Sequence, residues 1–124
     1  MLKNIIKRYR STKYTVLTLE PLEGLHTASD AQIEDEIQMH YIRMRSLFSD
    51  LGYRPRGLVA GMYNDGVSAR ATVRVASEQE MSHLLAAINM RLNPSNDPVR
   101  QIATVDRLDP RHRHLVPKMS WLAA

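Results

Sequence analysis

The chain has 124 residues, 17 Lys and Arg against 13 Asp and Glu (net charge +4), 44% hydrophobic and 24% charged residues, and no cysteine. That length supports one domain, which should bury roughly two thirds of its unfolded surface and needs no staples. The missing cysteine removes disulfides, thiolate metal sites and cysteine nucleophiles, and no apolar run approaches the roughly eighteen residues of a membrane span.

Residues 1–12 form a basic amphipathic segment. Leu2, Ile5, Ile6 and Tyr9 stand at i, i+3, i+4 and i+7, with Lys3, Lys7, Arg8 and Arg10 between them. Such a segment suits an anionic surface or a partner groove. It is too short to hold a helix alone, so its apolar side is expected to pack on the domain or on a neighbouring subunit. It lacks the apolar region and small-residue cleavage site of a secretory signal, so a cytoplasmic protein is expected.

The domain proper is expected over 13–108. Residues 14–20 are rich in β-branched and aromatic types and read as a strand closed by Pro21. After a loop through Gly24, Ser29 and Gln32 make a capping box. Ile33, Ile37, Tyr41, Met44, Phe48 and Leu51 then mark one face of a helix over 30–51, which Gly52 stops. Residues 57–63 and 67–75 read as a hairpin around an Asp65-Gly66 turn, which would set Met62 beside Ala69, Ala60 beside Ala71 and Leu58 beside Val73. In the second of these strands Val67, Ala69, Ala71, Val73 and Val75 alternate with Ser68, Arg70, Thr72 and Arg74. Ser77 and Glu80 make a second capping box before a stripe of Met81, Leu84, Leu85, Ile88 and Leu92, ended by Pro94. A weaker strand over 99–106 follows, and its facing is not decided by its pattern. A tail over 109–124 carries the only Trp, Trp121, as a candidate anchor.

The order βαββαβ predicts an α+β fold. With right-handed crossovers it most economically gives the ferredoxin-like, split βαβ sandwich: a four-stranded antiparallel sheet with two helices on one face. Many unrelated functions share that fold, so it licenses none of them.

Charge is unevenly distributed. Residues 1–14 carry +5, 15–50 carry −5, 51–76 carry +3, 77–98 carry −2 and 99–124 carry +3. The helical segments are acidic, and the hairpin and tails are basic. The open sheet face is expected to show Tyr14, Val16 and Thr18 from the first strand, Val59, Gly61 and Tyr63 from the second, and Ser68, Arg70, Thr72 and Arg74 from the third. Of these, Tyr14, Tyr63, Arg70, Thr72 and Arg74 are the candidate binding residues: arginines pair with phosphates and aromatic rings stack on bases. A face covered by a tail or by a second copy is the competing expectation.

Most chemical constellations fail on residue type or spacing. His112 and His114 could share a strand face, but their nearest acids, Asp106 and Asp109, do not complete a metal set. The His-hydrophobic-His motif of rolling-circle nucleases needs an apolar residue where Arg113 stands. Asp30, Glu34, Asp35 and Glu36 complement a helix dipole. His40 and His83, one on each helix, are expected at an interface or the surface, and His26 lies near a cleft mouth. No G-x-S-x-G elbow, Walker loop or G-x-G-x-x-G loop occurs. RNA-recognition motifs need aromatics on the third strand, and residues 68–74 hold none; acylphosphatases need an Arg in the first loop, and residues 21–27 hold none. Amino-acid-sensing ACT-type modules share the strand order and place a ligand near this loop, often using Gly, and Gly24 is the one such residue in it.

These readings converge on a non-catalytic interaction module without cofactor or metal. It is expected to form a homodimer through its open sheet face or its terminal segments. Nucleic-acid binding by the basic face and N-terminus is the alternative.

Overall fold

A computed structural model describes residues 12–63, 65–97, 100 and 102–105. It is an α+β architecture of two long helices and a four-stranded antiparallel sheet. The elements are β1 (Thr12–Pro21), a 3-10 turn (Leu25–Thr27), α1 (Asp30–Asp50), β2 (Arg56–Tyr63), β3 (Gly66–Val75), α2 (Glu78–Leu92) and β4 (Ile102–Val105). The strand order is β2-β3-β1-β4, so β1 and β3 are central and β2 and β4 form the borders. Thr12 belongs to β1 and not to the N-terminal segment. Lys3, Lys7, Arg8, Arg10, the tail over 109–124 with His112, His114 and Trp121, and residues 99, 101 and 106 of the expected last strand lie outside the described residues.

The helix ends follow the local chemistry of the sequence. The Ser29 hydroxyl accepts from the Gln32 amide at 3.2 Å, and the Gln32 side chain accepts from the Ser29 amide at 2.8 Å. At the other end Leu51 is the C-cap and Gly52 has φ +84°. The Gly52 amide donates to Ser49 O at 3.0 Å and the Tyr53 amide to Phe48 O at 2.9 Å, which is the paired bonding of a Schellman stop. Tyr53 packs on the core, completing the apolar contact that accompanies such stops. On α2 the Ser77 hydroxyl accepts from the Glu80 amide at 3.1 Å. The Glu80 carboxylate reaches past Ser77 and accepts from the Ala76 amide at 3.0 Å, so the second box closes one residue further out than expected.

Two expected registers change. In the hairpin Tyr63 pairs with Gly66, Met62 with Val67 and Ala60 with Ala69. Gly66 therefore belongs to β3, and the pairing slides by two residues from the Asp65-Gly66 expectation. An even slide keeps every side chain on its expected face, because facing has a period of two. Gly66 serves a different purpose from a turn glycine. It pairs with Pro21, and a Cβ at Gly66 would collide with the carbonyl of Glu20. A one-residue bulge between Arg56 and Val59, where Gly57 takes φ +62°, interrupts the ladder before its outermost pair, Arg56 with Thr72.

The facing of β1 is the reverse of the expectation. Tyr14 pairs with Val73, Val16 with Ala71 and Thr18 with Ala69, so these three β1 residues lie on the helix side. The core joins Tyr14, Val16, Ala69, Ala71, Val73, Val75, Ala103 and Val105 of the sheet to Met44, Leu47 and Phe48 of α1 and Met81, Leu84, Leu85, Ile88 and Leu92 of α2. Both helices thus cover the same sheet face, α1 over β2 and β3, α2 over β4 and β3. The physical reason for the reversal is that β1 is central. Its Leu17 and Leu19 are also buried, so apolar residues occur at both parities and alternation selects neither face.

β4 is held from α2. The Asn89 side chain donates to Ala103 O at 2.9 Å and accepts from the Ala103 amide at 2.6 Å. One amide side chain thereby occupies the outer border of this strand, as a neighbouring strand would.

Candidate functional site

The expected binding residues do not form one patch. Tyr14 is 4% exposed in the helix-side core, where burial, and then the nearby Glu78 carboxylate, push its hydroxyl pKa up. It is unavailable for stacking. Arg70, Thr72 and Arg74 do stand on the face away from the helices, because their pairing partners Leu17, Thr15 and Lys13 alternate with the core residues of β1. Tyr63 pairs with Gly66 at the hairpin end.

Register shows how that face is composed. Arg74 stands beside Lys13, and Thr72 beside Thr15 and Arg56. Arg70 follows beside Leu17 and Val59, then Ser68 beside Leu19 and Gly61. On β4, Thr104 pairs with Leu17 and Ile102 with Leu19. The face therefore grades from a basic, hydroxyl-bearing end to an apolar end. At the apolar end Leu17, Leu19 and Thr104 are buried although they point away from both helices.

A second cluster lies between β1 and α1, and here the expectation for His40 is overturned. His40 is buried, not at the surface. Its Nε2 is 2.9 Å from the Thr18 hydroxyl, which is 3.5 Å from the Ala69 carbonyl and donates to it. Nδ1 makes no hydrogen bond and lies 3.8 Å from the Glu20 carboxylate. Glu20 itself is 3.4 Å from the Arg43 guanidinium. Burial is the largest influence on His40 and lowers its pKa; Glu20 opposes the shift and Arg43 adds to it. A hydroxyl, an imidazole and a carboxylate in this order match a nucleophile-activating chain in composition. Thr18 and His40 are 1% and 2% exposed, however, so substrate has no route to the hydroxyl, and the cluster serves to join β1 to α1.

The signal for this cluster was present in the sequence. His40 falls three residues after Ile37 and four before Met44, on the apolar stripe of α1. A reading that sorted residues by stripe position, and not by type, would have buried it. His26 lies in the loop after β1, on the 3-10 turn. Its Nδ1 is 2.9 Å from Asp65, linking the loop after β1 to the hairpin turn, and both side chains are exposed. His83 is exposed on α2.

A third surface was expected only in part, through Val59 on the open face. The β2 border carries Val59, 59% exposed, on the face away from the helices, and Met62, 47% exposed, on the helix side. Among the described residues β2 pairs with β3 alone. Among those residues also, no three His, Asp or Glu side chains gather as a metal site, and no helix is long and apolar enough to cross a membrane. Comparison of the chain with protein-family models, with curated proteins and with solved structures returned no match.

Proposed function

We propose that this chain is a non-catalytic interaction module of ferredoxin-like topology that acts by self-association. The element order βαββαβ and the strand order β2-β3-β1-β4 support the topology. One observation carries the self-association: exposed large apolar side chains flank a sheet border on both of its faces, Val59 on one and Met62 on the other. Apolar surface of this kind gains free energy when a partner removes it from water. The sealed state of the Thr18–His40–Glu20 cluster supports a non-catalytic reading. Light scattering coupled to size exclusion tests it. A dimer mass at tens of micromolar chain is the expected result, and a monomer mass throughout that range overturns the proposal.

The nucleic-acid reading keeps one specific support, the basic end of the face with Lys13, Arg56, Arg70, Thr72 and Arg74 in adjacent rows. Its test is the salt dependence of binding to single- and double-stranded oligonucleotides. Replacing Arg70 and Arg74 by Glu should lower affinity and flatten the salt slope by about two phosphate contacts. A wild-type chain with no salt-sensitive binding ends that reading.

A further inference from the structure

We infer that β2 is the self-association surface, and that two copies of the chain join their β2 borders antiparallel into one continuous eight-stranded sheet. This rests on the self-association proposed above and names its geometry. Three observations carry it.

The first is the contrast between the two borders of the sheet. The β4 strand is short, Ile102–Val105, and Asn89 occupies the outer backbone groups of Ala103. The β2 strand runs Arg56–Tyr63, and among the described residues no side chain takes a comparable position along it. Folded proteins ordinarily protect such a border with charge, proline or a bulge. Here Arg56 and the Gly57 bulge protect only the start, and residues 57–63 contain no charge.

The second is self-complementarity. A strand's outer N–H and C=O groups are satisfied by another strand, and a copy of the same strand supplies the matching pattern under a two-fold axis. With that axis at Ala60, Leu58 of one copy lies opposite Met62 of the other on the helix side, and Val59 lies opposite Gly61 on the other face. A side chain added at Gly61 would meet nothing within 4 Å in the single chain, so there is room beside this position for Val59 of the second copy.

The third is charge. Arg56 stands at one end of β2 and Asp65 just beyond the other. Antiparallel pairing brings Arg56 of each copy toward Asp65 of the other, at both ends of the interface. Parallel pairing would set Arg56 against Arg56 and is disfavoured.

The test uses the full chain, which has no native thiol. Ala60→Cys should give a disulfide-linked dimer on mild oxidation, whereas Ser82→Cys, exposed on α2, should not. Val59→Lys, at a position exposed in the single chain, should leave the helical circular-dichroism signal unchanged and raise the dimer dissociation constant by about tenfold or more. Arg56→Glu should weaken the dimer, and Arg56→Glu with Asp65→Arg should restore most of the loss. A dimer undiminished in both Val59→Lys and Arg56→Glu, with no Ala60→Cys cross-link above the Ser82→Cys control, overturns the β2 assignment and leaves self-association standing. A wild-type chain that is monomeric at tens of micromolar overturns both.

Discussion

Lowering pH should destabilise this protein through His40, and the size of the effect follows from one proton. His40 is buried and its pKa is lowered from the ordinary 6.5, chiefly by burial. In the unfolded chain the imidazole takes up a proton below about pH 6.5, and in the folded chain it resists doing so. The unfolded state therefore binds more protons over the range from 6.5 down to the folded pKa, and stability falls as pH falls through that range. If the folded ring stays neutral throughout, the loss between pH 7.5 and 5.5 is about 1.4 kcal/mol, the limit set by one proton. Urea unfolding at half-unit pH intervals, followed by circular dichroism, measures it. His40→Leu removes the titrating group while Thr18 keeps the Ala69 carbonyl, so the difference in pH slope between variant and wild type isolates this residue. The Glu20 carboxylate, 3.8 Å from Nδ1, pulls the other way. If its attraction outweighed burial, wild type would gain stability relative to the variant on acidification, and that result would refute the assignment of burial as the dominant influence.

Three further substitutions probe the framework. Gly66→Ala should cost about 1–3 kcal/mol, because the new Cβ meets the Glu20 carbonyl on the adjacent strand, and denaturant midpoints will read the loss. Asn89→Ala should cost about 1–3 kcal/mol by freeing both backbone groups of Ala103. Its particular signature is faster hydrogen exchange at the Ala103 amide, without a matching change at Val16. Met44→Ala, at a side chain 0% exposed between α1 and the sheet, should cost about 2–5 kcal/mol in thermal or urea unfolding.

Local chemistry in the sequence determined the helices. Ser29 with Gln32, the stripe from Ile33 to Leu51, and Gly52 specify where α1 begins, which face it buries and where it stops, because caps and periodicity act within a few residues. The strict alternation of residues 67–75 likewise determined the facing of β3, so Arg70, Thr72 and Arg74 were placed from the sequence alone. The facing of β1 was decided only in three dimensions. Its apolar residues occupy both parities, and pairing with Ala69, Ala71 and Val73 selected Tyr14, Val16 and Thr18 for the core. That choice took Tyr14 out of the candidate site. The hairpin is a similar case: Gly66 reads as a turn residue, but it lies in β3, where only a residue without a side chain fits so close to Glu20 of β1. His40 needed Thr18, 22 residues away, before its burial had a polar partner. Composition gave a modest basic excess and no cysteine, which removed chemistries without supplying a function. Tertiary structure divided the basic face from a buried apolar end and put β2 and β4 at the borders of the sheet, because only strand order decides which strands have a single neighbour among the described residues.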